Sequence, residues 1–560
     1  MRAFRWQFVL SCIGLLASIP ALAAVELQAP EEIQRLLAPY LPEAGGSPRR
    51  LQEELGGILA TEGYFSPQFG FSGDGESLML RLDPGPRTLI GEVDVRIDGA
   101  IDESRRQALV AGWSLPVGQP FRQKDWNEAK QQILGELLAY EHPAAQLADS
   151  QAEIDAEHRS ARLQAHYVTG PRYRFGALRI EGLSRYSPEL VERYNRVVRP
   201  GQPYDETQLH ALQTTLQATP YFGSVDTELD MTATPGADGS IEAPVIVQVR
   251  EKAAHSVAFG VGASSNTGAR IESSYHTPNV MNRAWELDSG LRIEQKKQTA
   301  YTDLFLPPDD RNRRHSLGLM GETTDIQGLR TERYAFGVQT VQVRGSVEQR
   351  LALNWEHEHR EPLDAVATTS RALVPNIQWI VRQVDSRIEP RRGYVAMFQT
   401  GGGLHAALSD SDFLRVHGRY QHYFPLGHAD TLSLRVEMGK TLASSRQGIP
   451  QNYLFRAGGT GSVRGYAYQS LGVREGGAVV GGRYLTVVSA EFTHWLDESW
   501  GVAAFADAGD AGDSPRWSKP AVGYGVGVRW RSPAGPIGAD LAYGQQTGEL
   551  QLHFSLAIPF

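Results

Sequence analysis

The stretch LQLHFSLAIPF, Leu550–Phe560, sets large apolar residues at Leu550, Leu552, Phe554, Leu556, Ile558 and Phe560. Gln551, His553, Ser555, Ala557 and Pro559 fall between them. Successive side chains of a strand point to opposite faces, so this pattern predicts a strand with one apolar face and one mostly polar face. The same period recurs upstream as far as about residue 255. Sixteen alternating segments run from 256–263 to 550–560, among them DTLSLRVEMGK (Asp430–Lys440) and RYLTVVSAEFTHWL (Arg483–Leu496). Their number is even and their lengths lie near the ~9–11 residues that carry a tilted strand across a bilayer. Trp285, Tyr301, Trp379, Tyr420, Tyr423, Trp495, Trp500 and Trp530 fall near segment ends, where interfacial girdles sit. A 16-stranded antiparallel transmembrane β-barrel over 253–560 is therefore expected. A soluble sandwich or propeller is the competing reading, and it lacks a blade repeat.

A hydrophobic share of 41% with 58 glycines speaks against helical membrane spans and for turn-rich β structure. The net charge of -9 gives no polycationic surface for nucleic acid. Residues 1–23 read as a secretory signal peptide: Arg2 and Arg5, an apolar stretch from Phe8 to Ile19, then Ala21-Leu22-Ala23. The single cysteine, Cys12, lies inside it, so a mature chain starting at Ala24 would hold no disulfide.

Between Ala24 and Lys252 the chain repeats itself. Gly85-Pro86-Arg87 precedes Gly91 and RIDG (Arg96–Gly99), and Gly170-Pro171-Arg172 precedes Gly176 and RIEG (Arg179–Gly182). GQPF (Gly118–Phe121) and GQPY (Gly201–Tyr204) each open a helical pattern. The order of phrases predicts α+β units of strand, helix, helix and two strands, at 24–90, 91–170 and 171–252. The first copy is the least regular, with VELQ (Val25–Gln28) as its opening strand.

With the repeats in the periplasm, turns after odd strands lie outside the cell. The gap Thr441–Gly482 is then a long extracellular loop, a kind that tends to be functional. It holds RAGGTGSVRGYAYQSLG (Arg456–Gly472), glycine-rich around one central cation, Arg464. GTGSVRG misplaces the last glycine of a dinucleotide loop, and Leu434 stands where a phosphate loop ending at Gly439-Lys440-Thr441 needs glycine. No metal, cofactor or catalytic constellation is expected.

VRGY (Val463, Arg464, Gly465, Tyr466) resembles the signature of the BamA/TamA-type outer-membrane assembly superfamily. FADAG (Phe505–Gly509), GVGVRWRSPAGPIGADLAYG (Gly525–Gly544) and DSRIEPRRGY (Asp385–Tyr394) match it too, and the front repeats resemble its POTRA domains. Three such domains before sixteen strands are most similar to the TamA branch. The resemblance implies that the loop tucks into the lumen and that Arg464 meets Asp507, with Glu491 as a second acceptor. Arginine offers a planar fork of donors that suits a carboxylate.

The terminal strand closes against the first, SVAFGVGA, where Phe259 is followed by Gly260 and Gly262, which weaken a ladder. Pro559 cannot donate to that seam, and Leu556, Ile558 and Phe560 complete its apolar face. Either the seam opens sideways and templates an incoming strand, or Pro559 lies beyond the bilayer core and weakens nothing. The resemblance implies a non-enzymatic outer-membrane translocation and assembly factor. It would act on unfolded outer-membrane or autotransporter clients, with a TamB-like inner-membrane-anchored partner in the periplasm. Dedicated two-partner secretion and general BamA-like insertion are the alternatives.

Overall fold

The computed structural model describes residues 25–41, 47–73, 79–427, 429–515, 519–532 and 535–556. The predicted signal segment and the seam residues Ile558, Pro559 and Phe560 lie outside these. Two compact units are present, and their boundary passes through the third repeat: Met1–Arg179, Val197–Leu212 and Thr227–Val247 form one, Ile180–Arg196, Gln213–Asp226 and Gln248–Phe560 the other.

Three three-stranded sheets precede the barrel. In the first, Glu26–Gln28 runs parallel to Met79–Asp83, which pairs antiparallel with Gln68–Ser72. In the second, Leu89–Asp98 runs parallel to Ser160–Val168, which pairs antiparallel with Gln146–Asp155. The third keeps the same order, with Ile241–Glu251 between Tyr173–Glu181 and Phe222–Leu229. Two helices follow the first strand each time: Glu31–Leu37 and Pro48–Thr61, Glu103–Ala111 and Gln123–Ala139, Pro188–Tyr194 and Glu206–Gln217. Pro48 and Pro188 open their helices at the position where a missing N–H costs nothing. Asp205 accepts the Thr207 N–H at 2.9 Å ahead of Glu206–Gln217. Apolar residues at helical spacing fill the interior: Leu51, Leu55 and Leu59 in one repeat, Trp126, Ala129, Ile133 and Leu137 in the next. The repeated phrases share a task, since Phe121 of GQPF and Tyr204 of GQPY are both buried.

Sixteen strands, paired in the order in which they occur along the chain, then form one antiparallel sheet. The first eight are Ser256–Ser264, Gly268–Val280, Trp285–Glu294, Lys297–Phe305, Arg313–Ile326, Leu329–Arg344, Val347–Pro362 and Thr368–Val384. The last eight are Gly393–Gly403, Phe413–Leu426, Asp430–Leu442, Tyr484–Trp495, Trp500–Gly512, Ala521–Ser532, Gly535–Gly544 and Glu549–Leu556. Tyr221 Oη donates to Ala284 O at 2.9 Å, and Arg196 donates to the carbonyls of Asp309 and Asp310. Third-repeat residues thus touch the turns after the second and fourth strands, which makes those the periplasmic turns.

Strands six to eight are longer than the expected segments 332–342, 346–356 and 372–380. On the extracellular side both faces of the extension are polar: Glu356, Glu358 and Arg360 are buried under the loop that follows the eleventh strand. Glu356, Glu358 and Arg360 point one way and His357, His359 and Glu361 the other, so no apolar alternation marks the extension. At the periplasmic ends, the Trp500 and Trp530 rings stack with centroids 5.6 Å apart.

Candidate functional site

The connection between the eleventh and twelfth strands folds back on the barrel. A 3-10 turn, Gln451–Tyr453, meets the seventh strand: Gln451 N donates to Glu358 Oε1 at 2.9 Å and Tyr453 Oη to Glu356 Oε1 at 3.1 Å. Farther on, a small hairpin, Val473–Glu475 with Ala478–Val480, packs Ala478 and Val480 on Leu329. Arg360 pairs with Glu475 of this hairpin, and Arg446 bridges Glu475 and Asp513. The hairpin was not legible in the sequence, because three-residue strands are too short to show a period. Between these anchors, Phe455, Ala457, Val463 and Tyr466 pack against Leu485, Val487, Ala511 and Ala521 of the barrel wall.

That packing delivers VRGY to the last strands. Arg464 Nε donates to Asp507 Oδ2 at 2.7 Å, Nη2 to Asp507 Oδ1 at 3.0 Å, and the Arg464 backbone N to Oδ2 at 3.1 Å. Arg464 Nη1 reaches Glu491 Oε2 at 2.5 Å and Asp540 Oδ2 at 3.2 Å. Ser489 Oγ completes Asp507 at 2.6 Å. Arg529 shares the other two carboxylates, with Nη2 2.8 Å from Glu491 Oε1 and Nη1 2.5 Å from Asp540 Oδ1. Two guanidinium groups thus face three carboxylates. Arg464 is 6% exposed, Asp507 1% and Asp540 3%. Burial at this depth is tolerable only because every charge is paired and hydrogen-bonded.

Phe505, on the same face of the thirteenth strand as Asp507, lies under the Arg464 guanidinium with the ring centroid 3.5 Å from Cζ. Gly465 has φ +87, and a Cβ there would meet Gly544 N at 2.8 Å, so the tip lies directly on the fifteenth strand. Gly523 lets the Arg464 carbonyl approach the fourteenth. Tyr466 Oη donates to Val522 O at 3.1 Å and accepts from Gln546 N at 3.2 Å. Gly465 N donates to His553 Nε2 at 2.9 Å, which makes Nε2 an acceptor and His553 a neutral imidazole.

The seam lies beside this cluster. Among the described residues no ladder register joins Ser256–Ser264 to Glu549–Leu556, which stand at the two ends of the sheet order. Phe554 N donates to Ser265 Oγ across the gap at 3.1 Å. Phe259 is 82% exposed and Leu552 70%, both on the outer face. Gly260 and Gly262 do not interrupt the first strand, which pairs with the second through every residue from Ser256 to Ser264. The side chains of Glu272 and Arg270 occupy the space beside them. Leu556 is the last residue of the sixteenth strand.

Asp540, Arg529, Ser489 and His553 were not singled out from the sequence. The signal was present for two of them, since Arg529 and Asp540 lie inside the quoted GVGVRWRSPAGPIGADLAYG. His553 lies on the polar face of the opening stretch. His276, Glu286 and Asp288 also converge, with ligand atoms within 4.8 Å of one another. Their atoms are engaged already, Glu286 by Arg314 and Asp288 by His276.

Residues 252–560 match the Omp85 superfamily domain. Over 514 residues, 86% of this chain, it is 23% identical to "Outer membrane protein assembly factor BamA" of Nitratidesulfovibrio vulgaris, covering 62% of that protein. It is likewise 23% identical to the protein of that name from Neisseria meningitidis serogroup B, over 84% of this chain and 66% of the relative. The chain therefore spans about two thirds of the length of these curated relatives. The crystal structure of BamA from Haemophilus ducreyi lacking POTRA domains 1-3 superposes with a TM-score of 0.71 at 18% identity, covering 83% of this chain and 99% of that one. This likeness is one of fold.

Proposed function

The chain belongs to the Omp85 superfamily as an outer-membrane β-barrel protein, and from that premise we propose that it inserts or secretes β-strand clients by templating them at its seam. One observation carries the reading: the two ends of a sixteen-stranded sheet lie side by side with no ladder between the described residues. An unpaired edge presents a row of N–H and C=O groups on which an extended segment can add as a further strand. The template is assigned to the first strand, Ser256–Ser264, whose other side is fully paired, as is that of the sixteenth. No covalent chemistry is involved, and the free energy comes from the client closing its own hydrogen bonds in the bilayer, where each unmade bond is costly.

The finer reading is a TamA-type role. The periplasmic repeats present unfolded outer-membrane or autotransporter clients to the seam, and they dock a TamB-like partner anchored in the inner membrane. The Arg464 cluster holds the lumen loop against strands twelve to sixteen, so that the template edge stands on a fixed wall.

Reconstitution tests this. The full-length protein in vesicles of outer-membrane lipid is mixed with a urea-denatured autotransporter barrel and, separately, with an unrelated outer-membrane barrel. Heat-modifiable mobility reports client folding. Acceleration over empty vesicles supports the proposal, and acceleration of a single dedicated substrate would replace it with two-partner-type secretion. No acceleration of any client would overturn it.

A further inference from the structure

The lumen loop touches both edges of the seam. Its Thr460 Oγ1 accepts from Asn266 Nδ2 at 3.1 Å, and Asn266 lies in the turn that ends the first strand. Five residues on, Gly465 N donates to His553 Nε2 of the sixteenth strand at 2.9 Å. The piece between them is tied to itself. Gly458 N donates to Ser462 Oγ at 2.7 Å, Gly459 N to Tyr466 O at 3.0 Å and Ser462 N to Gly459 O at 3.2 Å. Gly459 also lies against Asn266, where an added Cβ would come within 3.0 Å of Oδ1. The piece is fixed to the barrel at Arg464 by strands twelve, thirteen and fifteen, none of which is a seam edge.

We propose that residues 458–466 form a clasp across the seam, with Asn266 and His553 as positioning residues that hook the first and last strands to one rigid piece of loop. The inference rests on the seam reading above and adds a division of labour. Arg464 anchors the clasp, while Thr460 and Gly465 hold the edges that the missing ladder leaves free. The two hooks are neutral hydrogen bonds, weak in net terms, whereas the anchor is a buried ionic cluster. Opening therefore releases the hooks first and leaves the loop in the lumen. A client strand pairing with the first strand replaces what the hooks supplied.

The test measures the seam with no client present. Full-length protein carrying spin labels at Val261→Cys and Leu552→Cys, both exposed on the outer face, is placed in lipid nanodiscs. Dipolar spectroscopy reads the distance between the first and last strands. His553→Leu with Asn266→Ala is expected to lengthen or split the distribution by about one strand spacing, about 5 Å. His553→Gln, which keeps an acceptor for Gly465 N, is expected to stay at the wild-type distance. A general loosening of the core would move both. Heat-modifiable mobility verifies that the barrel is folded. Should the double variant not fold, Thr460→Val removes the acceptor of the first hook at a half-buried loop position and is expected to broaden the same distribution. An unchanged distance in the folded variants overturns the clasp. Client insertion by the parent protein is scored separately: a lengthened distance in the variant with no insertion by the parent upholds the clasp and refutes templating at the seam, and an unchanged distance in the variant with insertion by the parent does the reverse.

Discussion

Replacing Arg464 by methionine is expected to undock the lumen loop far more than replacing Asp507 by asparagine. Arg464→Met deletes four side-chain hydrogen bonds, two to Asp507 and one each to Glu491 and Asp540. It leaves Glu491 and Asp540 with Arg529 as their guanidinium donor, and Asp507 with hydrogen bonds only from Ser489 Oγ and the residue 464 backbone N–H. Stranding buried charge in this way costs about 3–5 kcal/mol. Asp507→Asn keeps Arg464 between Glu491 and Asp540 and retains one amide oxygen as an acceptor. Its cost is that of weakened bonds to a charged group, about 1.5–3 kcal/mol. A cysteine at Val463, which is fully buried in the docked loop, reports undocking by its reaction with a membrane-impermeant maleimide on whole cells. At tenfold per 1.4 kcal/mol, Arg464→Met should accelerate labelling by about 10²- to 4 × 10³-fold and Asp507→Asn by about 10–100-fold. Equal acceleration by both variants would reduce the anchor to a single ion pair, and no acceleration by Arg464→Met would refute the reasoning.

Three further outcomes are expected. Phe505→Leu removes the ring beneath the guanidinium, worth about 1–2 kcal/mol, and should raise Val463→Cys labelling about tenfold with the ion pairs intact. Gly465→Ala places a Cβ 2.8 Å from Gly544 N at φ +87 and should undock the tip, whereas Gly461→Ala, with nothing within 4 Å, should label like the parent. Outside the membrane, burial raises the pKa of Glu251, but the N–H groups of Ser184 and Arg185 and both their side chains outweigh it and hold the carboxyl down at about 2. The unfolded value is about 4.3. The folded value is the lower one, so about 3 kcal/mol of stability is fully present above that unfolded pKa and is lost as pH falls towards 2. Hydrogen exchange at Ser184–Tyr186, corrected for intrinsic rates, should show protection falling over that window, and Glu251→Gln should remove the pH dependence.

The barrel was legible because bilayer and lumen impose opposite demands on alternate residues, and the terminal stretch shows both. The repeats were legible because GQPF and GQPY place a buried aromatic at the same point of two units. What the sequence hid has physical causes. Strands six to eight outrun their apolar signal where charged residues occupy both faces, one of them buried under the lumen loop. Asp540 and Arg529 lie on strands remote in sequence from the loop that carries Arg464, so nothing in local spacing connects them, and Glu491 and Asp507 came forward only by resemblance. His553 makes the point more clearly: it lies on the polar face of the terminal strand pattern, but its partner is a backbone N–H in a loop 88 residues away. A backbone donor leaves no residue-type signature. The same holds for Thr460 and Asn266, small polar residues of two turns that meet only in the folded barrel.

The most direct test of templating at the seam is a disulfide between Ser265→Cys and Phe554→Cys, whose parent residues already touch across the gap. The only natural cysteine is Cys12, in the predicted signal segment. Client assembly is followed in cells before and after reduction. Efficient crosslinking that stops assembly, with recovery on reduction, is the expected result. Efficient crosslinking with undiminished assembly would contradict the account, because clients would then be assembled past a seam that cannot open.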